Sequence, residues 1–140
     1  MMAKACPFCE VAAGAGGAHI AYEDEATIAF LDRSPLALGH CLLIPKVHVA
    51  TIYEADAKTL TALALATKAV ASAVTGAMGA DGSFVAQNNV ISQSVPHLHV
   101  HIVPRWKGDG LFAHKMVWRR VKYESAEEMA ATAANIRAAM

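Results

Sequence analysis

The chain has 140 residues, enough for one domain with a real core. Its 12 Lys and Arg balance its 12 Asp and Glu, which excludes a strongly basic nucleic-acid surface and an acidic disordered tail. Apolar residues make up 55%, a share that alanine inflates, and no run of about 18 of them stands ready to span a membrane.

The opening, MMAKACPFCEV, has one lysine and no apolar stretch, so no secretory signal is visible. The three cysteines, without an export signal, argue against a disulfide framework and for a reducing cytoplasm. Cys6-Pro7-Phe8-Cys9 is followed by a loose Ala/Gly stretch, Ala12 to Ala18. Two short strands are predicted at His19 to Tyr22 and Thr27 to Leu31, split by Glu23-Asp24-Glu25. Arg33-Ser34-Pro35 reads as a turn. His40 to Ile44 is the next strand, ended by Pro45, with His48 in a short connection beyond it.

Glu54 to Ala77 is the one clear helix, with Leu60, Leu63, Thr67, Val70, Val74 and Met78 spaced by threes and fours. Glu54 and Asp56 suit its positive end, and Gly76 and Gly79 stand where a C-cap falls. Ala62, Leu65, Ala66 and Ala69 make its other faces apolar. Burial against a second subunit and a small alanine-filled helix in a monomer both explain that. Ser83 to Gln87 is extended, and Asn88-Asn89 ends it. Val95 to Val103 is predicted as a further strand, and Ser125, with Glu127 and Glu128, opens a last helix through Ile136 in a capping-box pattern. One long helix among short strands predicts an α+β fold.

The Val95–Val103 strand carries His97, His99 and His101 at alternate positions. Residues two apart share a strand face, so the rings form one face and Leu98, Val100 and Ile102 the other. The expected picture is a core-facing apolar side and an open side of imidazoles. Thr or Lys would solvate such a face as well, so three imidazoles in register point to chemistry. Imidazole can be a neutral nucleophile near pH 7, a proton donor or a metal ligand. Neighbouring rings depress one another's pKa, which predicts divided labour among the three.

Cys6 and Cys9 are compatible with redox or metal use. Redox use wants a preceding strand and a following helix, which the sequence does not offer. Zinc wants two more ligands, and His48 and His97 are candidates among seven histidines. Cys41, on a strand, reads as a small buried hydrophobe.

The stretch from Gln93 to Pro104, with its His-x-His-x-His core, resembles the signature of the histidine triad (HIT) family. Ala29-Phe30-Leu31-Asp32, Gly39 through His48, Gln87-Asn88-Asn89 and Cys6-Pro7-Phe8-Cys9 resemble its other blocks, in the expected order. The resemblance implies a single HIT-like domain over residues 1–140, with a zinc segment at 6–9 and a tail at 106–140. It implies an antiparallel sheet of about five strands and a homodimer that joins two sheets. It implies a nucleotide hydrolase attacking the α-phosphorus of a phosphoramidate or dinucleoside polyphosphate, with an adenine-containing substrate expected. A nucleotide-binding regulator with little turnover is the alternative.

By the same resemblance, His99 matches the nucleophile and His101 the ring that touches phosphate oxygens and helps the leaving group. Family transferases carry Gln at that third place, so His101 points to a hydrolase. Cys6, Cys9, His48 and His97 match a structural zinc site. Gln93 and Ser94 match phosphate contacts, Asn89 a nearby polar group, and Asp32 the ribose acceptor. Phe8, Val11 and Phe30 would line the base pocket. Trp118, Arg119 and Arg120 either reach the distal part of the substrate or form a basic surface loop. His19, His40 and His114 are taken as structural or surface residues.

Overall fold

The structure is a computed structural model that describes residues 5–112 and 120–140. His114, Trp118 and Arg119 lie outside the described residues. The chain folds as a short helix α1 (Pro7–Ala12), strands β1 (Ile20–Glu23), β2 (Thr27–Leu31) and β3 (Cys41–Pro45), helix α2 (Ala57–Ala77), strands β4 (Gly82–Gln87) and β5 (Val100–Arg105), and helix α3 (Ala126–Ala138). The five strands form one antiparallel sheet in the order β1-β2-β3-β5-β4.

Every residue of β2 and β3 is buried, because both faces of the sheet are covered. Ala29, Leu31, Cys41, Leu43, Val100 and Ile102 face the main core, under Leu63, Ala66, Val70, Ala73 and Val74 of α2 and Ala133 and Ile136 of α3. Ile28, Phe30, Leu42 and Ile44 alternate to the other side, where Val11 and Phe8 of α1 meet them. Burying α2's five core side chains supplies roughly 1.5 to 3 kcal/mol for each large one. The buried stripe is therefore turned from the expected one: Ala66 and Ala73 lie inside, while Leu60 is partly exposed. Alanines at the contact let the helix sit close to the sheet.

The caps follow from residue type. The Asp56 carboxylate accepts from the Thr59 N–H at 2.8 Å, so the α-helix begins after Asp56 rather than at Glu54, which closes a separate 3₁₀ turn. Gly79 ends α2 with φ +59°, the left-handed conformation that favours glycine. There the Ala80 N–H reaches Thr75 O and the Gly79 N–H reaches Gly76 O, a full Schellman arrangement. Ser125 caps α3 by accepting from Glu128 N–H, and the Glu128 carboxylate reaches back to Glu124 N–H, one residue beyond the expected box. By length and composition alone α2 is apolar enough to cross a membrane, but its inner face packs on the sheet as a core helix.

The predicted Val95–Val103 strand is a correction. Sheet pairing begins only at Val100 and runs to Arg105. Before it, the His97 N–H turns back to Val95 O and the Leu98 N–H goes to Val49 O, which takes both groups out of the ladder. The Ala/Gly stretch is also corrected at its start, since Pro7–Ala12 is helical with Pro at the first position and Cys6 as cap.

Candidate active site

The sheet register assembles the site's floor. His101 pairs with Leu42, Leu42 with Phe30, and Phe30 with Ile20, so these residues form one row across the sheet. Above this row lies a cavity of about 550 Å³, a size suited to a small ligand. Its wall takes in Phe8, Val11, Phe30, Asp32, Ser94, His99 and His101, all named from the sequence. The Phe8 ring stands edge-on to Phe30 at 5.3 Å and to His99 at 5.1 Å. The imidazole face is thus not open: His97, His99 and His101 are 0%, 3% and 5% exposed. Phe8 of α1, the element the sequence did not reveal, covers His97 and His99, while His40 lies against His101.

Each ring's tautomer follows from its partners. His99 Nδ1–H donates to the His97 carbonyl at 2.7 Å, so its lone pair is on Nε2. The Leu36 N–H donates to His40 Nδ1 at 3.0 Å, so His40 carries its proton on Nε2. That proton goes to His101 Nδ1, 2.9 Å away. His101 must then hold its own proton on Nε2. One ring offers a lone pair, its neighbour offers an N–H, and the order is imposed by the Leu36 backbone.

His40 is therefore not a bystander; it is fully buried and fixes His101. His19, also set aside from the sequence, lines the cavity, as does Arg120. Asp32 accepts from Ser34 N–H at 2.8 Å and from Arg120 at 3.1 Å. Asn89 and Gln93 are not part of the cavity wall. Asn89 Oδ1 accepts from Ile52 N–H at 2.8 Å. Gln93 accepts from Val90 N–H and donates to Ala50 O, so both side chains tie the loop before His97.

Burial is the main force on the rings. It pushes His40 down to about 3 and His101 down to about 4, helped by neighbouring imidazoles and by Arg120. Unfolded imidazoles titrate near 6.5. Between those values the unfolded chain binds more protons than the folded one, so stability is whole above about 6.5 and falls as the pH drops. Urea unfolding at pH 7 and pH 4 should differ by about 3 kcal/mol for each of the two rings, and His40→Gln should flatten the slope. A stability that does not change between those pH values would contradict the neutral pair.

The second cluster is formed by Cys6, Cys9, His48 and His97, whose ligand atoms all lie within 4.8 Å of one another. The thiols of Cys6 and Cys9 stand 3.4 and 3.5 Å from His97 Nδ1, and Cys9 stands 3.2 Å from His48 Nδ1. The two Nδ1 atoms are 3.2 Å apart. A tetrahedron with Zn–S of about 2.3 Å and Zn–N of about 2.0 to 2.1 Å has edges of about 3.3 to 3.8 Å, close to these. His97 Nε2–H donates to Pro45 O at 2.8 Å, which leaves the Nδ1 lone pair facing the thiols. The four residues fit zinc. Burial and the neighbouring Cys6 raise the Cys9 thiol pKa, so binding would release its proton. A helix does begin at this pair, contrary to expectation, with Cys6 as its cap and Cys9 inside it, but both sulfurs face imidazoles. Cys41 is fully buried on β3, with its thiol pushed up to about 12, and stands as the expected small hydrophobe. Asp32, His40 and His101 also approach one another, but the proton on His40 Nε2 opposes a metal there.

Comparisons with known proteins give the family and the fold. A family model described as the HIT domain matches residues 15–108. The chain belongs to the HIT family. It is 33% identical over 116 residues to "Adenylylsulfatase HINT3" of Arabidopsis thaliana, covering 81% of this chain and only 59% of that relative. The structure of a HIT-like protein from Bartonella henselae, described as involved in cell-cycle regulation, matches with a TM-score of 0.85 at 33% identity over 100% of both chains. The zinc-bound histidine triad protein of Mycobacterium smegmatis matches with a TM-score of 0.82 at 31% identity, over 96% of this chain and 92% of that one. The fold is thus the HIT fold.

Proposed function

We propose that the protein is a nucleotide hydrolase that works at the α-phosphorus through a nucleotidyl-histidine. The observation that carries this reading is the paired tautomers: a lone pair on His99 Nε2 beside an N–H on His101 Nε2, both in the wall of one cavity. His99 attacks phosphorus and a P–N bond forms. The leaving group departs with its electron pair, and His101 hydrogen-bonds the oxygens that gain charge. Water then breaks the P–N bond and a nucleoside monophosphate is released. Phe8, Val11 and Phe30 offer an apolar slot for the base, and Asp32 an acceptor for ribose hydroxyls. Ser94, a polar loop residue in the cavity wall, is assigned to the phosphate in this reading. The name of the Arabidopsis relative supports hydrolysis of an adenylyl compound, and adenine is the expected base.

Zinc in this reading holds α1 and His97 in place. Four protein ligands leave no position for water, so zinc takes no part in the chemistry. A homodimer is part of the proposal. Strand β4 is a sheet edge, Val85 on it is 44% exposed, and Leu65 of α2 is 67% exposed.

The test is a panel of adenosine phosphoramidate, adenylyl sulfate and diadenosine polyphosphate. At least one should release AMP. Rapid acid quenching followed by mass analysis should find an adenylyl mass on the peptide containing His99. Binding without turnover of any of them would support the regulatory alternative, and no binding at all would end both.

A further inference from the structure

The loop between β2 and β3 delivers Asp32 to the cavity wall and His40 to His101. Residues 120–123 of the C-terminal tail run along this loop and bond to it in step. Arg120 donates to Asp32 and to the Ser34 carbonyl. The Val121 N–H donates to the Pro35 carbonyl at 2.8 Å, and the Gly39 N–H donates to the Tyr123 hydroxyl at 2.8 Å. Tyr123 is itself packed against the main core. The bond from Val121 lands on a peptide unit that the site uses. The Pro35–Leu36 peptide is trans and planar, so its carbonyl and its N–H point in opposite directions from one rigid plate. Val121 holds the carbonyl, and the N–H is the donor that fixes the His40 tautomer. Pro35 and Leu36 are both buried, so neither group has water as a substitute partner.

We infer that Val121 and Tyr123 are positioning residues for the proton on His101, acting through one hydrogen-bond chain that starts in the tail. The chain runs from the Val121 N–H to Pro35 O, across the peptide to the Leu36 N–H, and on to His40 Nδ1. From His40 Nε2–H it passes to His101 Nδ1 and ends at the His101 Nε2–H. Every donor along it points the same way, toward the cavity, so each bond polarises the next and strengthens the last N–H as a donor. Without the Val121 bond the peptide plate is free to tilt, and the Leu36 N–H is no longer aimed at His40. His40 is then able to carry its proton on Nδ1, and His101 reverses with it, presenting a lone pair in place of its proton. Tyr123 steadies the other end of the same turn, at the residue directly before His40. The inference rests on the hydrolase reading for its effect on rate, and on the loop geometry alone for its effect on the tautomers.

The experiment labels the histidine rings with nitrogen-15 in the parent, Val121→Pro and Tyr123→Phe, and reads each tautomer by NMR at neutral pH. In the parent, His40 and His101 should be bare on Nδ1 and protonated on Nε2, and His99 the reverse. In both variants the His40 and His101 signals should move toward a mixture of tautomers, while His99, held by the His97 carbonyl, keeps its pattern. On the best substrate of the panel, kcat should fall by about tenfold in Val121→Pro and about threefold in Tyr123→Phe, the scale of one hydrogen bond, with KM within about twofold of the parent. Tyr123→Phe keeps the ring and its packing, so it decides the matter if Val121→Pro does not fold. A lower Tm with the parent's tautomers would make the tail a structural strap only and overturn the inference. So would a fall in kcat with unmoved tautomers, or moved tautomers with an unchanged kcat in an active parent. If the parent turns over none of the panel and the tautomers still shift, the hydrolase reading fails and the control of the His101 proton by the tail stands.

Discussion

His99→Ala should lower kcat/KM for the preferred substrate by about 10⁴-fold or more, the scale seen when a covalent nucleophile is removed. Neither of the other two rings of the triad can take over the attack. His101 presents a proton rather than a lone pair to the site, because His40 donates to its other nitrogen. His97 directs its lone pair to the thiols and its N–H to Pro45 O. The nucleotide slot should survive, since Phe8, Val11, Phe30 and Asp32 line it independently. AMP affinity measured by calorimetry should therefore shift by only a few-fold, which separates lost chemistry from lost binding. His101→Ala should be milder, about 10² to 10³-fold, the usual cost of one donor to developing charge. A His99→Ala protein that hydrolyses nucleotides as fast as the parent would end the mechanism.

The sequence made β2 legible to the residue, at Thr27–Leu31, because its bounds are set by acidic residues on one side and a turn on the other. β3 and β4 shifted by a residue or less at each end. The short helix α1 was not legible. It has six residues, too few for periodicity, and it exists because Pro7 starts it and Phe8 and Val11 pack on Phe30. The zinc-type cluster was legible by residue type, while its closure depends on folding Cys6 and Cys9 back to His97, about ninety positions away. The part of the site least visible in sequence was His40. Its two partners, Leu36 N–H and His101, explain its burial, and neither leaves a local pattern. The one available signal was its place beside Gly39 in a block already resembling the family's. That glycine has φ +95°, and a Cβ there would come within 2.6 Å of Met78, so the turn delivering His40 is fixed by backbone and packing together.

Removing a zinc held by these four residues should cost about as much stability as a large core truncation. A metal held at 1,000 times its Kd contributes about 4 kcal/mol to the folded state. For a chain near 150 residues, about 1 kcal/mol shifts the midpoint by roughly 2 to 4 °C, so chelation should lower Tm by about 10 °C. Cys9→Ser should reproduce the loss and no longer respond to chelator, and added zinc should restore the parent alone. Metal analysis of the purified protein should find about one zinc per chain. The same treatment should reach the chemistry by one covalent route. The ring of His97 would be the ligand, and its backbone carbonyl is the acceptor that holds His99 Nδ1–H. Loosening the first lets the second drift, and the lone pair on His99 Nε2 then loses its fixed direction. Chelation should accordingly lower kcat at temperatures where the protein is still folded. An unchanged Tm after chelation of a protein that contained zinc would show that the four residues close without help from the metal.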